Sequence, residues 1–126
     1  MSPLSDIAIH LLVSPALLRV VVQEALEHEG YFVYPSGDLG TAVEKLKESK
    51  PDLLIVSPYV EDMSGYDAAN FLRTKLPGLP VLMMGGGISD DRLQNRLALQ
   101  GFEIFPKPFT AADLVAKVKD ALQKPR

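Results

Sequence analysis

Few side chains in this sequence combine a type and a spacing that could carry chemistry, and most of those are neutral. Ser14 and Ser57 each follow a short apolar run, and Lys107 follows a third. Gly85-Gly86-Gly87 closes a fourth run, just ahead of Ser89. A glycine-rich turn that opens a helix presents backbone N–H groups to an anion, and a nearby lysine adds a point charge. Gly86, Gly87 and Lys107 are therefore a candidate cradle for a phosphate- or sulfate-sized anion, while a triple glycine is equally a plain flexible loop. Glu61 and Asp62 read as solvated loop charges; the alternative is that one bends back and lends Ser57 a carboxylate.

Other chemistries fail on geometry or composition. His10 sits inside the first apolar run, four residues before Ser14, which is about 13 Å at roughly 3.3 Å per residue. His28 ends the first helical stretch, on the face opposite the site. Neither reaches Ser14 or Ser57 as a base, which excludes a serine hydrolase. The absence of cysteine removes thiol catalysis, thiolate zinc sites and disulfides together. Met63, Met83 and Met84 read as core or loop filler. No P-loop or dinucleotide fingerprint occurs, and Ser14-Pro15-Ala16-Leu17-Leu18 lacks the glycine of a flavin phosphate loop.

The elements that must position these residues alternate along the chain. Short apolar or β-branched runs at 7–13, 31–34, 52–56, 81–84 and 102–105 predict five strands. Between them, Leu18, Val21, Val22, Ala25 and Leu26 follow helical spacing, as do Ala42, Val43 and Leu46. Ala68, Ala69 and Leu72 form a third stripe, Leu93 and Leu97 a fourth, and Leu114, Val118 and Leu122 a fifth. Ser89 and Thr110 are helix starts, the latter three residues before Asp113. Gly30 and Gly101 sit where helices end left-handed. Pro51 and Pro77–Pro80 separate helices from strands. Leu17 and Val20 fall off the core stripe; isolated exposed apolar residues are ordinary, and the alternative is that the two together form part of a contact patch. Strands alternating with helices through short loops predict a parallel sheet covered on both faces, with ligands met at the carboxyl ends of the strands.

The 126 residues suit one domain, 1–126, with a structured core over about residues 6–122. Thirteen basic against sixteen acidic residues leave a net charge of −3, which argues against a nucleic-acid or anionic-membrane surface. No apolar run approaches the roughly 18–20 residues of a membrane span, and the N-terminus lacks the basic start of a signal peptide. A soluble cytoplasmic protein is expected.

Several segments, in order, carry a resemblance: Gly30-Tyr31, Lys50-Pro51-Asp52-Leu53-Leu54-Ile55-Val56, Met63-Ser64-Gly65-Tyr66, Pro80-Val81-Leu82-Met83 and Lys107-Pro108-Phe109. Over essentially the whole chain they resemble the receiver (CheY-like) domain of two-component response regulators. The resemblance implies an α/β fold of the flavodoxin-like (CheY-like) type. This is a (βα)5 three-layer sandwich whose five-stranded parallel sheet has the order 2-1-3-4-5. In that family an acidic pair ending the first strand holds Mg²⁺, and an aspartate ending the third strand accepts the phosphoryl group. Thr or Ser ends the fourth strand, and Lys-Pro follows the fifth. Here the phosphoacceptor position falls on Ser57, eight before Gly65, and the acidic pair on Val13 and Ser14. Gly85 takes the Thr/Ser position, Ile104 the switch-aromatic position and Glu61 a usual proline; Lys107 alone matches. A Lys-Pro pair of this kind shapes the loop into the last helix, through a cis peptide if the resemblance holds.

An acyl phosphate needs a carboxyl group, and Mg²⁺ favours carboxylate oxygens. The resemblance thus implies a degenerate pseudo-receiver: no enzyme, no cofactor and no Mg²⁺, acting through protein contacts. Expected partners are a histidine kinase, another regulator, an output domain or a second copy in a homodimer. By family analogy the interaction face comprises Arg92, Arg96, Ile104, Leu114 and Lys117. The competing expectation is anion or phosphometabolite binding by the Gly85–Gly87 loop with Lys107.

Overall fold

The computed structural model describes residues 7–60, 63–84, the backbone of 102–105, and 110–123. Five parallel strands form one sheet: β1 (Ala8–Leu12), β2 (Phe32–Ser36), β3 (Leu53–Val56), β6 (Val81–Met84) and β7 (Phe102–Phe105). Their order across the sheet is β2-β1-β3-β6-β7. Between β3 and β6 in the chain lies a short antiparallel pair, β4 (Tyr59–Val60) with β5 (Met63–Ser64). With that pair set aside, the order is the expected 2-1-3-4-5.

Alternation along the strands sorts their side chains into two cores. Ile9, Leu11, Val13, Ile55 and Leu82 face one way, onto Val22 and Leu26 of α1 (Ala16–His28) and Leu114 and Val118 of α4 (Ala111–Gln123). Leu12, Leu54, Val56, Val81 and Met83 face the other way. They meet Ala42 of α2 (Leu39–Glu48) and Ala68, Ala69 and Leu72 of α3 (Gly65–Lys75). Every residue of β3 and β6 is buried, as a central strand covered on both faces requires. Their unbroken apolar runs are the sequence form of that double cover.

Three of the four described helices start on a local side-chain cap, α1 alone following Pro15 without one. Asp38 accepts from the Thr41 N–H, and Ser64 from the Asp67 N–H. Thr110 and Asp113 bond reciprocally, each side chain to the other's backbone N–H, as the sequence predicts. Gly30 follows α1 at φ 96°, where any Cβ would be strained.

Three expectations need correction. β2 begins one residue later than 31–34 predicts and runs on through Pro35 to Ser36. An edge strand needs a hydrogen-bonding partner on one side only, so the missing N–H of proline is tolerated there. Val21 is half exposed, at 51%, because the core line of α1 passes through Val22 and Leu26 instead; Leu17 and Val20 are exposed as expected. Leu114 is 1% exposed and packs with Val118 and Ala121 against the sheet. It belongs to the core and cannot be part of an interaction face; Lys117, one helical turn on, is half-buried.

Candidate functional site at the carboxyl ends of the strands

The ends of β1 and β3 bring three of the named positions together. β1 and β3 run in register, Leu12 opposite Val56, and the last rung of the ladder is the Ser57 N–H donating to the Leu12 carbonyl at 3.1 Å. Val13 then points into the core and is fully buried. Ser14 is half-buried and precedes a cis peptide to Pro15. Ser57 is 2% exposed. Its hydroxyl accepts from the Ser14 N–H at 3.0 Å and donates to the Tyr59 carbonyl at 2.9 Å. The single hydroxyl proton is thereby committed to a carbonyl.

Gly65 owes its place to this geometry. A Cβ there would lie 1.9 Å from the Ser57 carbonyl oxygen, and its N–H donates to the Pro58 carbonyl at 2.7 Å. The β4–β5 pair folds the chain back so that the first residue of α3 touches Ser57, the residue that follows β3. The eight-residue spacing between Ser57 and Gly65 is the length of that return.

Arg19 escapes sequence reasoning altogether. From the first turn of α1 its Nη1 donates to the Val13 carbonyl at 2.9 Å. The guanidinium also lies over Gly37, where a Cβ would come within 2.6 Å of it. It thus stitches the end of β1 to the loop after β2. No local signal could reveal this, since the contact depends on a loop eighteen residues away. Beside it, Asp38 is held below the usual carboxylate range, first by the Thr41 backbone and hydroxyl and least by Arg19.

The two histidines stand apart from the site, as expected. His10 lies opposite Leu54, three residues before Ser57, about 10 Å by strand rise. It is buried, stacks on Tyr34 at 4.8 Å, and its Nε2 has no hydrogen-bond partner. Burial pushes its pKa down to about 4, against opposing pulls from the Ser49 backbone, Glu48 and Asp52. His28 is exposed at the end of α1, beside a groove of about 450 Å³ between α1 and α4. There Lys119 pairs with Glu29 at 3.2 Å. The same pair brackets Tyr31, whose hydroxyl burial pushes up.

Gly85, Gly86, Gly87, Ser89, Arg92, Arg96, Gly101, Lys107 with Pro108, Glu61 and Asp62 lie outside the described residues, as does the side chain of Ile104. Among the described residues, no group of three His, Cys, Asp or Glu is placed to hold a metal ion. No helix there is long and apolar enough to cross a membrane.

A doubly wound parallel sheet with its polar groups gathered at the strand ends defines a class of α/β signalling and nucleotide-binding folds. Within that class the chain matches the response regulator receiver domain over residues 15–119, and it belongs to that family. It is 30% identical over 111 residues to the probable transcriptional regulatory protein TcrX of Mycobacterium tuberculosis, covering 86% of this chain and 46% of that protein. It is 27% identical over 109 residues to the DNA-binding transcriptional regulator NtrC of a Bradyrhizobium species, covering 86% and 23%. The chain therefore spans between about a quarter and about half the length of these curated relatives. Among solved structures, a receiver domain protein of Clostridium thermocellum superposes with a TM-score of 0.80 at 20% identity, covering 92% and 94% of the two chains. The chemotaxis response regulator CheY4 of Vibrio cholerae does so with 0.78 at 23% identity, covering 91% and 98%. These likenesses establish the CheY-like fold.

The residues that the resemblance aligns with the family's metal and phosphoacceptor positions, Val13, Ser14 and Ser57, offer no carboxylate to a hard divalent cation. Val13 offers hydrocarbon inside the core, Ser14 turns its N–H towards Ser57, and the Ser57 oxygen is neutral and bonded on both sides.

Proposed function

We propose that this chain is a degenerate receiver module of two-component signalling that acts by phosphorylation-independent protein contact. One observation carries the reading: the side chain at the phosphoacceptor position is a buried hydroxyl already bonded to Ser14 and Tyr59. In-line transfer from a phosphoryl donor to this position would have to make a serine ester, which is not the labile acyl phosphate of a switch. It would also proceed without carboxylates at positions 13, 14 and 57 to hold the charge-neutralising metal. On this reading the domain is no enzyme and needs neither Mg²⁺ nor another cofactor.

Its partners on this reading are proteins: a histidine kinase, a second regulator or copy, or an output domain. The transcriptional-regulator names of TcrX and NtrC, together with their greater length, support coupling to an output domain. Lys117 remains a candidate contact on α4 once Leu114 is withdrawn to the core. The test is incubation with acetyl phosphate and Mg²⁺ followed by intact mass and hydroxylamine treatment, with beryllofluoride binding read by thermal shift. No adduct and no shift are expected. A hydroxylamine-labile adduct, or stabilisation by beryllofluoride that depends on Mg²⁺, would overturn the reading.

A further inference from the structure

We propose that the Ser57 hydroxyl is a permanent clasp that locks the β1–α1 loop to the turn after β3 and holds this rim of the domain in a single state. In a parallel ladder a residue that donates to one partner accepts from the residue two further along. Ser57 donates to Leu12, so the next rung would run from the Ser14 N–H to the Ser57 carbonyl. The Ser57 carbonyl, however, is crowded by the α-carbon of Gly65, at which even a methyl group would collide. The Ser57 side chain stands in as acceptor for the Ser14 N–H, at 3.0 Å, and carries the β1–β3 pairing one step past the end of the strand. The same oxygen then passes its proton to the Tyr59 carbonyl at 2.9 Å, fixing the start of β4.

The Ser57 side chain is buried and both of its bonds are partly so, and its loss would leave a backbone N–H and a carbonyl without their protein partner at the end of the sheet. It also joins the segments that lead into α1 and β4, whose Leu17 and Tyr59, at 77% and 73%, are the most exposed large apolar side chains among the described residues. A switch needs two arrangements of comparable free energy. A side chain bonded at both ends inside the fold favours one. This inference rests on the reading of the domain as phosphorylation-independent, and supplies its physical form: a rim set by a hydroxyl at synthesis.

The experiment is amide hydrogen exchange by NMR on the full chain as wild type, Ser57→Ala and Ser57→Thr, with the central-strand amides of Ile55 and Leu82 as internal reference. In wild type the Ser14 amide is expected to be protected despite lying outside any strand. In Ser57→Ala its exchange should rise by about tenfold or more relative to the reference amides, and Ser57→Thr, which keeps the oxygen, should restore most of the protection. An unprotected Ser14 amide in wild type sinks the clasp, as does a Ser57→Ala ratio equal to that of wild type. Should Ser57→Ala fail to fold, the wild-type and Ser57→Thr measurements decide the matter. Failure of the functional reading shows separately, as a phosphoryl adduct, and leaves the exchange pattern of the unmodified protein untouched.

Discussion

Acidification should destabilise this domain in part through His10, the histidine buried on β1. Its imidazole is 4% exposed on the central strand β1, stacked on Tyr34 and facing Lys45 and Glu48 of α2, the Ser49 backbone and Asp52. Desolvation lowers its pKa from 6.5 to about 4, so in the folded state it stays neutral where an unfolded histidine would take a proton. The unfolded chain therefore binds more protons between those values, and stability falls as pH falls. The contribution is complete above pH 6.5 and is lost progressively towards pH 4. At about 1.36 kcal/mol per pKa unit it amounts to roughly 3 kcal/mol, a large share of the about 5–15 kcal/mol typical of a domain. Urea denaturation of wild type and His10→Leu at pH 7 and pH 4 isolates it, because the variant lacks the imidazole and keeps the other titratable groups. The wild-type midpoint should fall further than that of the variant by about 1–2 M. Parallel losses in the two proteins, or an NMR titration placing His10 near 6.5, would refute the argument.

Other perturbations follow from the site and the caps. Gly65→Ala forces a methyl against the Ser57 carbonyl and should cost about 3 kcal/mol or more, read as a lowered denaturation midpoint. Ser57→Asp should not restore phosphorylation, since positions 13 and 14 still lack carboxylates. Its buried charge, facing the Tyr59 carbonyl, should destabilise the fold by about 2–5 kcal/mol at pH 7 and less at pH 4. A phosphorylated carboxylate in that variant after acetyl phosphate treatment would contradict this. Thr110→Ala removes the side-chain acceptor for the Asp113 N–H and should cost about 1 kcal/mol, with Thr110→Ser close to neutral.

Patterns that repeat within one element were legible in the sequence. The apolar runs of β6 and β7 predicted their bounds, and Thr110 with Asp113 predicted the start of α4, because strand period, helix period and caps act within a few residues. The missing carboxylates at 13, 14 and 57 needed only the residue types. The assignment of Leu114 to both a core stripe and a surface was a conflict that the stripe, being local, settled correctly.

What joins residues far apart in the chain left no trace there. Pro35 reads as a strand breaker until β2 is seen to be an edge. Arg19 looks like an ordinary helix cation until Gly37 is brought beneath it. Ser57 reads as a deletion of function until its hydroxyl is found between Ser14, 43 residues away, and Tyr59. Residue types determined that positions 13, 14 and 57 carry no carboxylate; only the packed sheet, which sets distances between segments that no local rule relates, decided what the Ser57 hydroxyl bonds to.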